Sequence, residues 1–265
     1  MAFRRLLRGT VDRATLDRVG DALAERFDLA DPTLEPLEAD NWLSTPCVVD
    51  ERLFVKVITP QNALVHALLT AGRNLGVFAS GVEGFFERYD TPFEMAEHEL
   101  AATRRMRDRG VNAPAPIEAL EVDDLGVLVL EYIPNFRTLD DLDPEMVAAR
   151  APALLESLAT MHAADVVHGD LRSENVLIAD GDLYFIDATK VRADAAADAA
   201  AYDVACALAV LESLVDAKTA VAAAAAVFDD ETLLAALEFL DFVTVRPDHD
   251  FDALAVKGEI ETAVA

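Results

Sequence analysis

The stretch at residues 168–178 constrains this chain more than any other part of its sequence. It reads His-Gly-Asp-Leu-Arg-Ser-Glu-Asn-Val-Leu-Ile, and a turn and a second apolar run then lead to Asp187. Two short apolar runs on either side of a turn predict two antiparallel strands. The strands flank a polar loop, and we expect this arrangement to present Asp170, Asn175 and Asp187 to one point.

Phosphoryl transfer from ATP requires this set of side chains. One aspartate, here Asp170, accepts or orients the hydroxyl of the phosphate acceptor. An asparagine and a second aspartate, here Asn175 and Asp187, hold the metal ions that bridge the phosphates. The alternative is a polar turn between core strands with solvated acids. It fits poorly, because each part is common by chance but the whole string is not.

The acid excess of the chain indicates its environment and argues against one class of function. The 265 residues carry 49 Asp and Glu against 22 Lys and Arg, a formal charge of −27, and the acids are spread along the chain. A dispersed acidic surface keeps a protein hydrated where salt screens its self-repulsion, so we interpret the composition as that of a halophile's cytosolic protein. An acidic mesophilic protein is the alternative. Direct nucleic-acid binding is not expected at this charge.

Cysteine content and hydropathy favour the cytoplasm. Cys47 and Cys206 are far apart, which gives neither a metal-ligand spacing nor a disulfide framework. No apolar run reaches about 18 residues, the length that a membrane-spanning helix needs. The basic start, residues 1–8, has no long apolar core behind it and is not expected to be a signal peptide.

The first part of the chain predicts a helix followed by strands. Residues 3–30 carry an apolar stripe at helical spacing and end at the Asp-Pro pair that follows, and residues 34–58 read as three short strands. Lys56 lies in an apolar, β-branched run, where a lysine is costly unless its ammonium finds an anion. It is either a lysine that reaches ATP phosphates or an edge-strand lysine that faces water.

The loop at residues 40–46 occupies the position of a phosphate-covering turn. It contains no glycine, the residue that lets backbone amides approach phosphates closely. The hydroxyls of Ser44 and Thr45 are the candidates to take over that contact.

The segment from 60 to 92 is the hardest to place. A helix is predicted in its first half, and four glycines then interrupt an apolar stretch without the spacing of a dinucleotide fingerprint. We interpret the segment as a mobile insertion that acts as a lid or contacts substrate. The next predicted helix, 93–109, carries Glu97 and Glu99, either of which could pair with Lys56.

Two strands around a turn follow, and the second ends at a proline in the position of a hinge. There the backbone carbonyl of Glu131 and the N–H of Ile133 could meet an adenine edge. Beyond residue 139 the chain is expected to be helical except at the motif, with helices at 146–161, 202–215, 219–228 and 231–242 and an ambiguous tail from 246.

These segments resemble the protein-kinase-like superfamily in its small atypical branch. The chain resembles the RIO kinases most, with the kinase of the KEOPS complex and the aminoglycoside phosphotransferases as cousins. Residues 53–57 look like the lysine strand, residues 96–117 like the RIO helix with its Gly-Val-x-x-Pro-x-Pro-Ile connector, and residues 128–133 like the hinge strand. The motifs at 167–170 and 185–187 carry the resemblance at the active site.

The resemblance covers roughly residues 37–215 and implies the α+β class. The implied fold is two-lobed and protein-kinase-like, with an antiparallel sheet plus a helix in the N-lobe and a mostly helical C-lobe. The implied domains are a helical extension at 1–33, an N-lobe at 34–132 with the insertion at 60–92, and a C-lobe at 133–265. Together with the acid excess, the resemblance indicates a haloarchaeal source.

The resemblance implies ATP at the hinge, magnesium as the metal, and a role for each residue of the motif. Asp170 would be the catalytic base, and Asn175 and Asp187 would bind Mg²⁺. Arg172 falls where many kinases place a lysine near the transferred phosphate, and a cation there would offset charge on the phosphoryl group. The alternative is that Arg172 only forms a surface salt bridge. Asp203 would brace the catalytic loop.

The nucleotide-binding residues follow from the same register. Glu99 rather than Glu97 is the implied ion-pair partner of Lys56. Glu131 and Ile133 would contact the adenine through their backbone.

Three functions remain open. The favoured one is a RIO-like serine/threonine kinase that acts on a protein or on itself, or an ATPase switch, with a ribosome-maturation particle as the candidate partner and no membrane. The alternatives are a small-molecule phosphotransferase of the aminoglycoside and choline kinase type, with a substrate pocket formed by residues 60–92 and the C-terminal helices, and a nucleotide-binding pseudokinase. The glycine-free loop favours the pseudokinase. Against it, a chain freed from catalysis has no chemical reason to keep all five of the residues Lys56, Glu99, Asp170, Asn175 and Asp187.

Overall fold

The computed structural model describes residues 11–37, 43–79, 84–246 and 249–265. The chain forms two compact units. The first holds Met1–Ala71, Arg88–Arg104 and Pro114–Pro134, and the second holds Gly72–Glu87, Arg105–Ala113 and Asn135–Ala265.

The first unit is built on an antiparallel sheet. The elements that begin in it are α1 Arg13–Phe27, β1 Leu34–Pro36, β2 Thr45–Val49, β3 Leu53–Ile58, α2 Pro60–Ala79, α3 Pro92–Asp108, β4 Pro116–Val122 and β5 Leu125–Glu131. The strand order is β1-β2-β3-β5-β4. Helices α2 and α3 each continue into residues of the second unit.

The alternation of side chains along β3 and β5 decides on which face of the sheet Lys56 lies. Val55 and Val129 share a core cluster with apolar residues of α1, whereas Ile58 and Leu128 share another with α3. Lys56 pairs in register with Leu128, and side chains at paired positions of neighbouring strands point to the same face. Lys56 therefore lies on the α3 side of the sheet.

A close backbone approach fixes α3 against the sheet. A Cβ placed on Gly126, at the start of β5, would lie 2.1 Å from the carbonyl oxygen of Pro92, the first residue of α3. Only glycine allows this approach. The hydroxyl of Thr91 also accepts the backbone N–H of Glu94 at 3.0 Å, which caps the helix.

The second unit is mostly helical. Its further elements are β6 Arg137–Thr138, α4 Pro144–His162, β7 Val176–Ala179, β8 Asp182–Phe185, α5 Ala196–Leu214, α6 Ala217–Ala225, α7 Asp230–Thr244 and α8 Ala253–Ala263, with short 3₁₀ turns at Leu139–Asp141, Ser173–Asn175 and Ala193–Ala195. Helix α5 is buried over most of its length and packs against α4, α6, α7 and α8. Strands β6, β7 and β8 form a small antiparallel sheet.

These elements confirm the predicted α+β class and most of the predicted helices and strands. The first helix ends earlier than expected, at Phe27, because Asp28 adopts a left-handed conformation with φ 53°. Helix α2 continues through Gly72 to Ala79, and α8 was not predicted. Helix α1 shares its core with the sheet, and the units follow different bounds from the implied domains, which stay a prediction.

Two expectations involve residues that the structure leaves out. The start of the first predicted helix, residues 3–10, and the first three residues of the phosphate-covering loop, 40–42, lie outside the described residues. Of the two hydroxyl residues proposed for that loop, Ser44 is buried and Thr45 begins β2. Within the described ranges, no helix is long and apolar enough to cross a membrane.

Candidate active site

Lys56 and Glu99 form a buried ion pair in the first unit. Lys56 Nζ lies 2.6 Å from Glu99 Oε1, and the side chains are 4% and 14% exposed. Glu97 is exposed, so the sequence-based choice of Glu99 agrees with the geometry. Lys56 is therefore not an edge-strand lysine that faces water: β3 lies between β2 and β5, and the ammonium is held on the α3 side.

The proposed hinge residues lie at the end of β5. Glu131 exchanges two hydrogen bonds with Ala115: its backbone N–H donates to the carbonyl at 2.9 Å, and its Oε2 accepts the Ala115 N–H at 3.1 Å. The N–H of Tyr132 donates to the carbonyl of Arg52 at 3.0 Å, and Ile133 is buried. Glu131 is thus anchored through both its backbone and its side chain, and its adenine contact stays a prediction.

Asp203 holds the backbone of the motif in the second unit. It lies on α5 with no exposed surface, and its two carboxylate oxygens accept the backbone N–H groups of His168 and Gly169, each at 2.7 Å. His162 Nε2 lies 3.2 Å from Oδ2. A carboxylate that accepts two buried backbone donors fixes the start of the loop, which is the bracing role that the resemblance implied.

Gly169 and His168 explain why the loop needs its first two residues. Gly169 has φ 74°, and a Cβ there would lie 2.5 Å from Thr189 Cγ2. His168 Nδ1 faces the backbone N–H of Asp170 at 3.3 Å, and Nε2 faces the carbonyl of Ile186 at 2.8 Å. Only the neutral ring with its proton on Nε2 suits both partners, and burial lowers the pKa of His168 in the same sense.

Three arginines surround the carboxylate of Asp170. Arg73 Nη2 and Arg246 Nη2 lie 2.5 Å and 2.7 Å from the same oxygen, Oδ1, and Arg172 Nε lies 3.4 Å from Oδ2. Burial alone would raise the pKa of Asp170. The three guanidinium groups outweigh burial and hold that pKa well below its usual range. Asp170 is therefore an anion at any physiological pH.

Arg246 is the most buried of the three arginines, with a side chain that is 6% exposed. It also donates to the hydroxyl of Tyr202, and its Nη1 lies 3.9 Å from Cys206 Sγ. Burying a guanidinium this deeply is costly without a counter-charge, which Asp170 supplies. A residue beyond α7 thus holds the aspartate of the motif.

Arg172 forms the salt bridge that was one of its two alternatives, and its place near the transferred phosphate stays a prediction. It forms an ion pair with Glu174, and it also contacts Asp170. The salt bridge with Glu174 and the contact with Asp170 are compatible, because a guanidinium has several donors.

Asn175 and Asp187 can supply oxygen ligands to a metal ion. Asn175 Nδ2 donates to the carbonyl of Asp170 at 2.8 Å, which turns the amide so that Oδ1 is the atom able to act as a ligand. The backbone carbonyl of Asn175 accepts the N–H of Ile186 at 3.1 Å, which joins the loop to the segment that carries Asp187. Carboxylate and amide oxygens suit Mg²⁺, which also uses substrate phosphates as ligands. The residues therefore fit the predicted metal.

Asp187 has φ 65°, in the left-handed region. Such a conformation costs on the order of 1 kcal/mol for a residue other than glycine, least for Asp and Asn, and often occurs at functional sites. It turns the chain sharply after β8.

Sequence reasoning missed Arg73 and Arg246 as partners of Asp170. Each carries a weak signal: Arg73 is the one Lys, Arg, Asp or Glu residue between Pro60 and Ala79, and Arg246 is the one Lys or Arg residue between 219 and 256. An isolated cation of this kind indicates an anionic partner but does not identify it.

Comparison with known sequences identifies the relatives of the chain. A family model described as the RIO domain matches residues 86–218, half of the chain. The KEOPS complex subunit Bud32 of Pyrococcus abyssi is 33% identical over 98 residues, which are 36% of this chain and 43% of that protein.

Two further relatives extend over longer stretches. A probable bifunctional tRNA threonylcarbamoyladenosine biosynthesis protein of Methanothermobacter thermautotrophicus is 24% identical over 147 residues, 55% of this chain and 22% of that protein. The 3-deoxy-D-manno-octulosonic acid kinase of Vibrio parahaemolyticus is 30% identical over 179 residues, 62% of this chain and 72% of that protein. The chain thus spans less than half of the first two relatives and most of the third.

Among solved structures, the chain is similar to a mutant of the PknI kinase domain of Mycobacterium tuberculosis. The identity is 15% and the TM-score 0.41, with 89% of this chain and 96% of that chain covered.

Proposed function

Because the chain belongs to the RIO-domain family of atypical kinases, we propose that this phosphotransferase moves the γ-phosphate of ATP to a serine or threonine of a protein or of itself. The observation that carries the proposal is the arrangement around Asp170: a buried carboxylate paired with arginines, on a loop fixed by Asp203, with Asn175 bonded to the same loop. We propose the cytoplasm of a halophile as its location.

Asp170 orients the hydroxyl of the acceptor and takes its proton. Because the arginines hold its pKa low, Asp170 is a weak base before transfer begins. It therefore acts mainly by placing the hydroxyl in line with the phosphoryl group, and the proton moves late, as suits a loose transition state. Oδ1 already accepts from two guanidinium groups, so Oδ2 is the oxygen that receives the hydroxyl.

Other residues of the chain bind and orient the nucleotide. Lys56, held by Glu99, reaches the phosphates, while Glu131 and Ile133 offer backbone groups to the adenine. Asn175 and Asp187 would hold Mg²⁺, which would neutralise phosphate charge when bound. Arg172 stabilises charge on the transferred group.

Two relatives support narrower proposals about the acceptor. The Pyrococcus relative is named as a subunit of the KEOPS complex, which supports a protein assembly as the working context, in place of or beside a ribosome-maturation particle. The Vibrio relative is named as a sugar-acid kinase and covers more of the chain, which supports a small-molecule acceptor as the second candidate. A regulatory pseudokinase is the third.

The decisive experiment follows labelled phosphate from γ-labelled ATP and Mg²⁺ in high salt. The chain is compared with Asp187→Asn and with Asp182→Asn, a control at the exposed first residue of β8. We expect Asp187→Asn to lower transfer by roughly a hundredfold or more, because it removes a charged metal ligand, and Asp182→Asn to leave transfer unchanged.

The destination of the label separates the candidates. Label on the protein supports a kinase, and release of free phosphate supports an ATPase switch. Label on an added sugar acid supports a small-molecule kinase. Binding of an ATP analogue without any turnover by the wild-type chain would reject the enzyme and leave the pseudokinase.

A second prediction concerns the Lys56–Glu99 pair. Lys56→Met leaves a buried carboxylate without its ammonium, so we expect a loss of about 3 kcal/mol in the free energy of unfolding and at least tenfold weaker binding of an ATP analogue. The double variant Lys56→Met/Glu99→Leu removes both charges and should regain most of the stability but none of the nucleotide affinity.

Urea unfolding and titration with the analogue measure the two effects separately. The exposed Glu97→Gln serves as the control and should change neither quantity. If the double variant bound the analogue as well as the wild type, Lys56 would have no role at the nucleotide.

A further inference from the structure

Arg73 makes more contacts beside Asp170 than are needed to neutralise the charge of that carboxylate. Asp170 already has the buried Arg246 at 2.7 Å from the same oxygen. Arg73 is more accessible, with a side chain that is 21% exposed, and uses one guanidinium nitrogen, Nη2, to contact Asp170. A guanidinium carries five N–H donors, so Arg73 has further donors beside the acceptor aspartate.

An aromatic ring lies against this guanidinium. Arg73 lies over Phe86, with its Cζ 5.4 Å from the ring centroid. A cation–π contact of this kind helps to hold an arginine in place without using its N–H donors. The group is therefore oriented before any substrate arrives.

The residue that follows Arg73 anchors the helix in place. Asn74 makes two hydrogen bonds to the backbone of Phe86, donating to the carbonyl at 2.8 Å and accepting the N–H at 2.9 Å. A Cβ on Gly84 would lie 2.5 Å from Asn74, so glycine makes room for this contact. The side chain of Asn74 is thus fixed to residues 84–86, the same short segment that carries the Phe86 ring.

That segment is itself tied to the chain beyond Asp187. Phe86 and Val191 form an antiparallel bridge, and the N–H of Glu87 donates to the carbonyl of Lys190 at 3.0 Å. Arg73 is therefore placed relative to both Asp170 and the segment that begins at Asp187. Support of this kind by neighbouring packing and hydrogen bonds is what a binding group needs.

We infer that Arg73 forms an oxyanion subsite beside Asp170, in which the guanidinium bridges the aspartate and a phosphate or carboxylate group of a substrate. Arginine suits this chemistry because its planar fork of donors matches such groups. The inference rests on the proposed function. The oxyanion is either the phosphoryl group in transfer or an anionic group on the acceptor next to its hydroxyl.

Isothermal titration with inorganic phosphate, replacing chloride at constant ionic strength, tests this inference. Wild-type chain, Arg73→Gln and the control Arg88→Gln, at an exposed arginine, are titrated without nucleotide and with saturating Mg²⁺ and AMP-PNP. We expect phosphate to bind the wild type and the control, and to bind Arg73→Gln at least tenfold more weakly, the loss of one charge-assisted contact. Arg73→Lys, which keeps the charge but not the fork, should fall between them and covers the case in which the glutamine variant does not fold.

The nucleotide arm identifies the source of the oxyanion. If AMP-PNP abolishes phosphate binding, the subsite serves the phosphoryl group, and if phosphate still binds, it serves the acceptor. Equal phosphate binding by Arg73→Gln and the wild type, or no binding by the wild type in either state, would overturn the inference. Failure of AMP-PNP to bind would instead count against the proposed function and would leave the nucleotide-free titration readable.

Discussion

Asp170→Asn is expected to lower phosphate transfer by about a thousandfold, while the affinity for an ATP analogue changes little. The amide keeps the shape of the side chain but lacks the charge that holds the acceptor hydroxyl in line, and it cannot take the proton late in transfer; such groups contribute roughly 10²–10⁴-fold. The exposed Asp165→Asn is the control, since asparagine tolerates the left-handed conformation of that residue, φ 54°. Transfer by Asp170→Asn at more than a tenth of the wild-type rate would exclude Asp170 as the residue that orients the acceptor hydroxyl and takes its proton.

The same variant should change stability and its pH dependence. Arg73 and Arg246 would face a neutral amide, so we expect a loss of about 2 kcal/mol in the free energy of unfolding. In the wild type the folded pKa of Asp170 lies below the unfolded value of about 3.9. Its stabilising contribution is therefore complete above about pH 4 and is lost as the pH falls through the folded pKa. Unfolding curves between pH 3 and 7 would measure the difference, and Asp170 should produce no acidic limb in the rate profile above about pH 4.

Among the described side chains of the second unit, we expect substitution of Asp203 to lower the free energy of unfolding most. Asp203→Ala leaves two buried backbone N–H groups without their acceptor, and we expect a loss of about 4 kcal/mol. Asp203→Asn keeps the volume but turns an amide NH₂ towards one of those donors, so about 3 kcal/mol should still be lost. Urea unfolding measures both variants.

Activity distinguishes bracing from general stability in this case. Asp198→Asn, an exposed acid on the same helix α5, is the control and should behave as the wild type. Among molecules of Asp203→Asn that remain folded, kcat should fall while the affinity for the ATP analogue is kept, because the loop that carries Asp170 is no longer fixed. A loss of less than 1 kcal/mol for Asp203→Asn would show that the two hydrogen bonds contribute little.

The sequence predicted the parts of this protein that depend on local pattern. Apolar periodicity predicts most of the helices and strands. Alternate residues of a strand lie on the same face, and Lys56 accordingly lies on the face of β3 that carries Leu128 and α3. The Lys56–Glu99 pair needed the family register, because the residues lie far apart in the chain and Glu97 fits the local pattern equally well.

What the sequence could not predict depends on long-range packing. The tail from 246 was ambiguous because no periodic pattern crosses it, yet Arg246 reaches Asp170 from there. A helix is predicted in the first half of residues 60–92, as observed, but nothing in its pattern indicates that Arg73 contacts the motif. Both arginines donate to one buried carboxylate, that of Asp170, and no rule of sequence spacing connects residues so far apart in the chain.

The contact between Arg246 and Asp170 has a consequence for dissecting this protein into fragments. The stretch that matches the RIO domain begins at residue 86 and ends at residue 218. A fragment cut to those limits would keep every letter of the 168–187 motif but would lose Lys56 and two of the three guanidinium groups around Asp170. Inactivity of that fragment would reveal nothing about the chemistry of the intact chain, because the stretch that matches the family model is shorter than the stretch that holds the proposed site residues.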